Sequence, residues 1–315
     1  MATHSIPGLE TAMNNVTDNT QVNENIHAIL MRLDQLERAM REIRQLVGPF
    51  GVPFPNDEIL VQTLYGTKYF IDANDLVMTP QLVTYRQWES DLSSFFVKSI
   101  TPDTVFLDVG ANFGYFTCLV ASNIGASGSG KVIAVEPNPR IYDMLSRNIR
   151  INWSMAPVET HACALTADGM SVDLMVPAHG AANASIVTEG MSHASGSNTL
   201  IHVRGNTLDR IVAGRRVDII KIDVEGHELD VLNGASETFR AASNIHLIME
   251  WALAQMIEAK INPSAVIDKF EELDLAYYYL PESIHVSNAD TEPLRLSRQQ
   301  LLSTPYANIY LKKLP

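Results

Sequence analysis

Apolar residues fall at Ile26, Ile29, Leu33, Leu36, Met40, Ile43 and Val47, alternating three and four apart, until Gly48-Pro49 stops the pattern. This is a heptad seam, and Arg32 at a g position could pair with Glu37 at an e position of a parallel partner helix. Three heptads are few, and Leu30 and Leu46 widen the stripe. The spacing therefore fits either a homo-oligomer formed through residues 26–47 or a lone amphipathic helix. Before it, residues 1–24 are polar and aperiodic and read as a disordered tail. After it, residues 50–57 are rich in Pro and read as a linker, with short strands expected at Ile59–Phe70 and Leu76–Thr84 and a helix around Trp88–Ser99.

From Val105 the rhythm changes to strand, helix, strand, helix. Strands are expected at Val105–Val109, Lys131–Glu136, Val158–Leu165, Val217–Ile222 and Ile245–Met249, with two last strands at Tyr277–Leu280 and Asn308–Leu311. Helices are expected at Arg140–Ile151, Glu225–Ala235 and Pro263–Leu273. Such alternation predicts a mostly parallel α/β sheet with helices on both faces. Residues 166–207 interrupt it, and the loop 177–198 is a candidate acceptor lid, with Asn183 and Ser185 as polar contacts, or a disordered insertion. No internal repeat is visible. The organisation read from this is a tail at 1–24, an amphipathic helix at 25–48, a linker with a small β element and lead-in helix at 49–100, and the main domain at 101–315.

Composition narrows the class. Of 315 residues 46% are hydrophobic and 19% charged, an ordinary globular balance. The net charge of −13 argues against a nucleic-acid partner. No apolar run approaches the ~18 residues of a membrane span, and Met-Ala-Thr-His-Ser carries no secretory features, so a cytoplasmic location is the expectation. The two cysteines, Cys118 and Cys163, sit in no CxxC, which fits a reducing compartment.

Two constellations carry chemistry. Asp108-Val-Gly-Ala-Asn-Phe-Gly114 places a glycine turn between a buried strand and a helix, a layout that offers backbone N–H groups to a cofactor. It lacks the Gly-x-Gly-x-x-Gly spacing that lets backbone close on a pyrophosphate, so an adenosine cofactor without phosphate suits it better. Asp108, Glu136, Asp223 and Glu250 end four successive strands, and the carboxyl ends of such strands line one crevice. The second constellation is Asp218-Ile-Ile-Lys-Ile-Asp-Val-Glu-Gly-His-Glu228. Lys221 lies inside an apolar strand, where an ammonium needs partners. Asp223, Glu225, His227 and Glu228 crowd the turn after it. Glu225 and Glu228 could simply cap the helix, but a lysine and a histidine among three carboxylates also suit proton transfer or metal binding.

Phe106-Leu-Asp-Val-Gly-Ala-Asn-Phe-Gly-Tyr-Phe, Ala134-Val-Glu-Pro-Asn-Pro and Ile220-Lys-Ile-Asp-Val-Glu-Gly-His-Glu together resemble the FkbM family of S-adenosylmethionine-dependent methyltransferases, from about residue 60 to the C-terminus. The resemblance implies a class I methyltransferase fold, a Rossmann-like seven-stranded sheet whose last strand runs antiparallel, and O-methylation of a sugar, glycan or polyketide-like small molecule. It implies that Asp108, Gly110, Asn112 and Gly114 hold the methionine end of S-adenosyl-L-methionine, and that Glu136 takes the ribose hydroxyls with Asn138 nearby. Cys163, Ala164 and Leu165 would border the adenine, and Asp223 would face the sulfonium and the acceptor.

An attacking hydroxyl must lose its proton. Asp223, Glu225, His227 and Glu250 are the candidate bases. A histidine titrates near neutrality, although His227 could equally serve only to position others. In a second version Asp223 and Glu250, perhaps with Glu225, hold Mg²⁺. An NAD-dependent oxidoreductase and a non-catalytic oligomeric scaffold with the same fold remain the rival classes.

Overall fold

Helix α1 covers residues 25–40 and exposes its apolar positions, Ile26, Ile29, Leu33, Leu36 and Met40 among them. It belongs to the first of two compact units, Met1–Pro49, the second being Phe50–Pro315. This computed structural model describes residues 25–40, 51–177, 184–187, 198–281 and 293–314. Among them no helix is long and apolar enough to cross a membrane.

The second unit begins with an antiparallel meander of β1 (Gly51–Phe54), β2 (Glu58–Gln62) and β3 (Lys68–Asp72). The stretch expected to be a linker is thus partly a strand. Pro53 is tolerated there because β1 is an edge, where a missing N–H leaves no ladder bond unmade. The expected strand at Leu76–Thr84 is instead helix α2 (Met78–Tyr85). Asp75 starts it by accepting from the backbone N–H groups of Val77 and Met78, both at 2.8 Å. Pro80 falls in the first turn, where its missing N–H has no intrahelical partner to lose. Helix α3 (Ser90–Ser99) follows as expected.

The alternating region comprises β4 (Val105–Val109), α4 (Tyr115–Ile124), β5 (Lys131–Val135), α5 (Pro139–Ile151) and β6 (Val158–His161). The third strand breaks after His161, since β7 (Ala164–Leu165) leaves the main sheet. Strands β8 (Val172–Val176), β9 (Ser185–Ile186) and β10 (Thr199–Val203) form a small antiparallel sheet, and β11 (Gly205–Asn206) pairs with β7. The chain continues through α6 (Leu208–Val212), β12 (Ile219–Ile222), α7 (Glu228–Asn233), α8 (Ser236–Ala241), β13 (His246–Ala252), α9 (Leu253–Glu258) and α10 (Pro263–Glu272). It ends in β14 (Leu275–Tyr279), α11 (Arg298–Ser303) and β15 (Tyr306–Lys313).

Among the described residues the main sheet has seven strands in the order β14-β15-β13-β12-β4-β5-β6. Strand β15 is antiparallel to both neighbours, and the other pairings are parallel. This is the sheet that the resemblance implies. Successive residues of β4 feed opposite faces, as the pleat requires. Val105, Leu107 and Val109 join the layer containing Trp251, Phe239 and Phe270, while Phe106 joins Phe96, Phe116 and Tyr69. Both cysteines are buried and free.

The meander is fastened to the sheet layer by two asparagines one turn apart on α5. Asn148 accepts from the Phe70 N–H at 2.7 Å and donates to the carbonyls of Phe70 and Phe113 at 3.0 and 2.8 Å. Asn152 accepts from the Lys68 N–H at 2.8 Å and donates to the Lys68 carbonyl at 2.6 Å. The two amides thus act as a neighbouring strand for the free edge of β3. Asn148 is fully buried, so Asn148→Ala strands the buried Phe113 carbonyl and two half-buried groups of Phe70 and is expected to cost about 2–4 kcal/mol in denaturant unfolding. A loss under about 0.5 kcal/mol would refute this role.

Candidate functional site

Gly110 brings the turns after β4 and β12 together. Its φ is +77°, and a Cβ there would lie 1.8 Å from the Asp223 carbonyl oxygen, so only bare backbone fits. Glu136, just after β5, ties the next pair of turns. Its Oε2 accepts from the Asn112 N–H at 2.9 Å and its Oε1 from the Asn138 N–H at 2.8 Å. Asn138 also caps α5, accepting from the Arg140 N–H at 3.2 Å ahead of Pro139. Gly114, at φ +93°, forms the N-cap of α4.

These turns floor a cleft at the carboxyl ends of the parallel strands. Gly110, Asn112, Glu136, Asp223 and Glu225 supply its polar lining. Val135, Cys163, Leu165, Leu174 and Ile186 supply an apolar wall, with Ala164 beside them. Among the described residues the lining contains three carboxylates and no lysine or arginine. Ala184 and Ile186 bring the described part of the 177–198 loop to this cleft, and Ser185 pairs with β8. Asn183 lies outside the described residues.

Behind the cleft, Lys221 of β12 is buried in register with Asp108 of β4. Its Nζ stands 2.8 Å from Asp223 Oδ2 and 5.1 Å from the centre of the Phe116 ring. Burial opposes the ammonium, but Asp223, Asp108 and Glu89 outweigh it and hold the lysine charged, its pKa above the usual value. Asp108 itself is 1% exposed and does not line the cleft. Its Oδ2 accepts from Thr117 at 2.6 Å, whereas Oδ1 has no hydrogen-bond partner. Burial raises its carboxyl despite the pull of Lys221.

The other candidate bases are each engaged. Glu225 lies in a left-handed turn at φ +55°, ahead of α7 rather than inside it, and accepts from Gln255 at 2.6 Å. Glu228 alone serves the turn, accepting from the Gly226 and Val224 N–H groups at 3.2 and 3.4 Å. His227 is buried and does not itself line the cleft; its Nδ1 lies 3.0 Å from Asp230 and its Nε2 3.2 Å from the carbonyl of the cleft-lining Ile186, so both ring nitrogens are engaged. Burial pushes the carboxyls of Glu136, Glu225 and Glu228 up to about 7. Burial, with Asp223, Glu225 and Glu228 adding, lifts Glu250 well above the carboxylate range. The Mg²⁺ pair Asp223 and Glu250 gains no third ligand: among the described residues no three His, Cys, Asp or Glu side chains converge as an ion needs.

Sequence reasoning missed Glu89 and Tyr306. Burial pushes the Glu89 carboxyl up to about 7, while Lys221 pulls it down and Asp223 raises it, so the three form one electrostatic group. Tyr306 hydrogen-bonds Glu250 and lies 3.5 Å from Glu89. The only local signal was the glutamate at the start of α3, where Ser90 or Asp91 would make the better cap.

A model of the methyltransferase FkbM domain matches residues 108–274, more than half of the chain. The chain belongs to the FkbM methyltransferase family. It is 28% identical over 189 residues to the hexuronic acid methyltransferase AglP of Haloferax volcanii, covering 60% of this chain and 70% of that one. It is 26% identical over 168 residues to the methyltransferase sdnD of Sordaria araneosa, covering 45% and 64%. A solved SAM-dependent O-methyltransferase of Thermotoga maritima aligns at 14% identity and a TM-score of 0.37, over 81% of this chain and 77% of that one. An FkbM enzyme transfers a methyl group, and the strand-end acids of this one gather where its sheet opens.

The raised carboxyls set a pH dependence. Folded Glu228 holds its proton up to about 7 against an ordinary 4.5, so between those values the folded state binds more protons than the unfolded. Stability from this group is therefore full below pH 4.5 and declines as pH rises towards 7. The thermal midpoint of the wild type is expected to fall between pH 5 and 8, and Glu228→Gln should flatten part of that fall. A wild-type midpoint that climbs across this window would contradict it.

Proposed function

We propose that the chain is an S-adenosyl-L-methionine-dependent O-methyltransferase acting on a hydroxyl of a sugar, glycan or polyketide-like small molecule. The observation that carries this reading is the cleft at the ends of β4, β5 and β12, which combines three carboxylates, an apolar wall and no cationic side chain. A pyrophosphate would meet only negative charge there, which disfavours the NAD reading, whereas a cationic sulfonium with an adenosine suits it. Gly110, Asn112 and Asp223 would hold the methionine end and Glu136 the ribose hydroxyls, with Cys163, Ala164 and Leu165 beside the adenine. When bound, the cofactor supplies a methyl group on a leaving group that departs as a neutral thioether. The protein's own part is to align the acceptor oxygen, exclude water and receive the hydroxyl proton.

Titration calorimetry tests the cofactor. S-adenosylhomocysteine is expected to bind and NAD not to bind, and Glu136→Gln should weaken S-adenosylhomocysteine about tenfold, the worth of one charge-assisted hydrogen bond. Preference for NAD would end the reading.

The exposed apolar face of α1 supports a second proposal, a homo-oligomer held by this helix from each copy. Ile29, Leu33, Leu36 and Met40 remain between 52% and 59% exposed, at the spacing of a seam. In light scattering the full chain is expected at a multiple of its monomer mass, and a chain lacking residues 1–48 at the monomer mass. A monomeric full chain refutes it.

A further inference from the structure

A second cleft, of about 1320 Å³, opens between α3, the end of β14 and the start of β15. Its lining includes Glu89, Asp91, Ser94, Tyr279, Tyr306 and Asn308, none of which lies in the family-matched segment 108–274. It shares no lining residue with the first cleft. The two are linked through charge, because Asp223 lines one, Glu89 lines the other and Lys221 is coupled to both.

Glu89 is held there at a conformational cost. Its φ is +40°, a left-handed backbone rare for a residue with a side chain, and its side chain does not cap α3. The turn is locked instead by neighbours. The Trp88 N–H donates to the Tyr115 hydroxyl at 3.1 Å, and Ser93 Oγ donates to the Trp88 carbonyl at 2.6 Å. Strand β15 then sends Tyr306 and Asn308, two residues apart on one face, to hydrogen-bond the Glu89 carboxylate. Glu250, bonded to Tyr306 behind the lining, keeps a buried oxygen, Oε2, without a partner. Among the carboxylates of this cluster Asp223 is ion-paired to Lys221 and Glu225 is bonded to Gln255.

We propose, resting on the methyl-transfer reading above, that this cleft is the acceptor site, that it takes a neutral polyhydroxylated ring such as a hexose unit, and that Glu89 receives the proton of the methylated hydroxyl. Tyr279 and Tyr306 are 42% and 54% exposed and offer ring faces to the apolar side of a sugar. The lining sets Glu89 and Asp91 against one basic residue, Lys98, and with the nearby Asp223 this balance disfavours an anionic acceptor. As the acceptor oxygen takes the methyl group, its O–H bond breaks and the proton passes to Glu89. The bonding pair of the departing group stays on sulfur, and Glu89 later loses the proton to water. A carboxyl near pH 7 is matched to that task. Tyr306 positions Glu89.

Saturation-transfer NMR on the full chain loaded with S-adenosylhomocysteine tests the site, using the methyl glycosides of glucose, mannose and rhamnose against methyl glucuronide. At least one neutral glycoside is expected to bind and, once labelled S-adenosyl-L-methionine replaces S-adenosylhomocysteine, to accept labelled methyl, with the glucuronide at least tenfold weaker. Glu89→Gln should bind that glycoside within about threefold yet slow transfer at least a hundredfold. Glu89→Gly, which relieves the left-handed backbone, must show the same slowing. Wild-type transfer rates in both variants overturn the proton role. No neutral glycoside bound or methylated, or a glucuronide bound as well, overturns the acceptor site. Failure of S-adenosylhomocysteine itself to bind would instead sink the cofactor reading.

Discussion

A single ammonium in the middle of the sheet governs the charge around it. Lys221 sits on a central strand with apolar layers on both sides, where an unpaired cation would cost several kcal/mol. The strand register meets that demand, since Asp108 lies beside it on β4 and Asp223 follows two residues on. Carboxylates gathered for one lysine then crowd one another. Burial first, and their mutual repulsion second, raise these carboxyls, a setting where a proton moves at little cost near neutrality. Asp223 is thereby tied to the lysine, and the proton acceptor proposed above, Glu89, comes from another part of the chain.

The site divides along the same line. On one side, turns after parallel strands present backbone N–H groups and carboxylates, a surface made by glycine spacing and strand ends. On the other, side chains from α3, β14 and β15 build a wider cleft with aromatic and hydroxyl groups. The described residues of the first lie within the family-matched segment, and those of the second lie outside it.

Much of the first side is legible in the sequence because it is written locally. A strand, a glycine turn and a helix occupy consecutive residues, and Lys221 and Asp223 are two apart. Glu89 and Tyr306 are 217 residues apart, and nothing local announces that β15 will return antiparallel beside β13. Helix α2 was misread for a different reason. Its apolar run suits either period, and Pro80 reads as a breaker unless Asp75 is recognised as starting a helix. For Glu225 and His227 the error was one turn of helix: α7 begins at Glu228, so the preceding residues follow turn geometry rather than helical spacing.

Asn148 and Asn152 address only the main chain of β3, through its N–H and carbonyl groups. Backbone groups are the same in every residue except proline, so the side chains of the meander can change without loosening its attachment. The segment leading to Glu89 is therefore mounted on a sequence-blind fitting. Divergence can rewrite the side chains along that segment while the sheet, the turns after its strands and the mounting stay as they are.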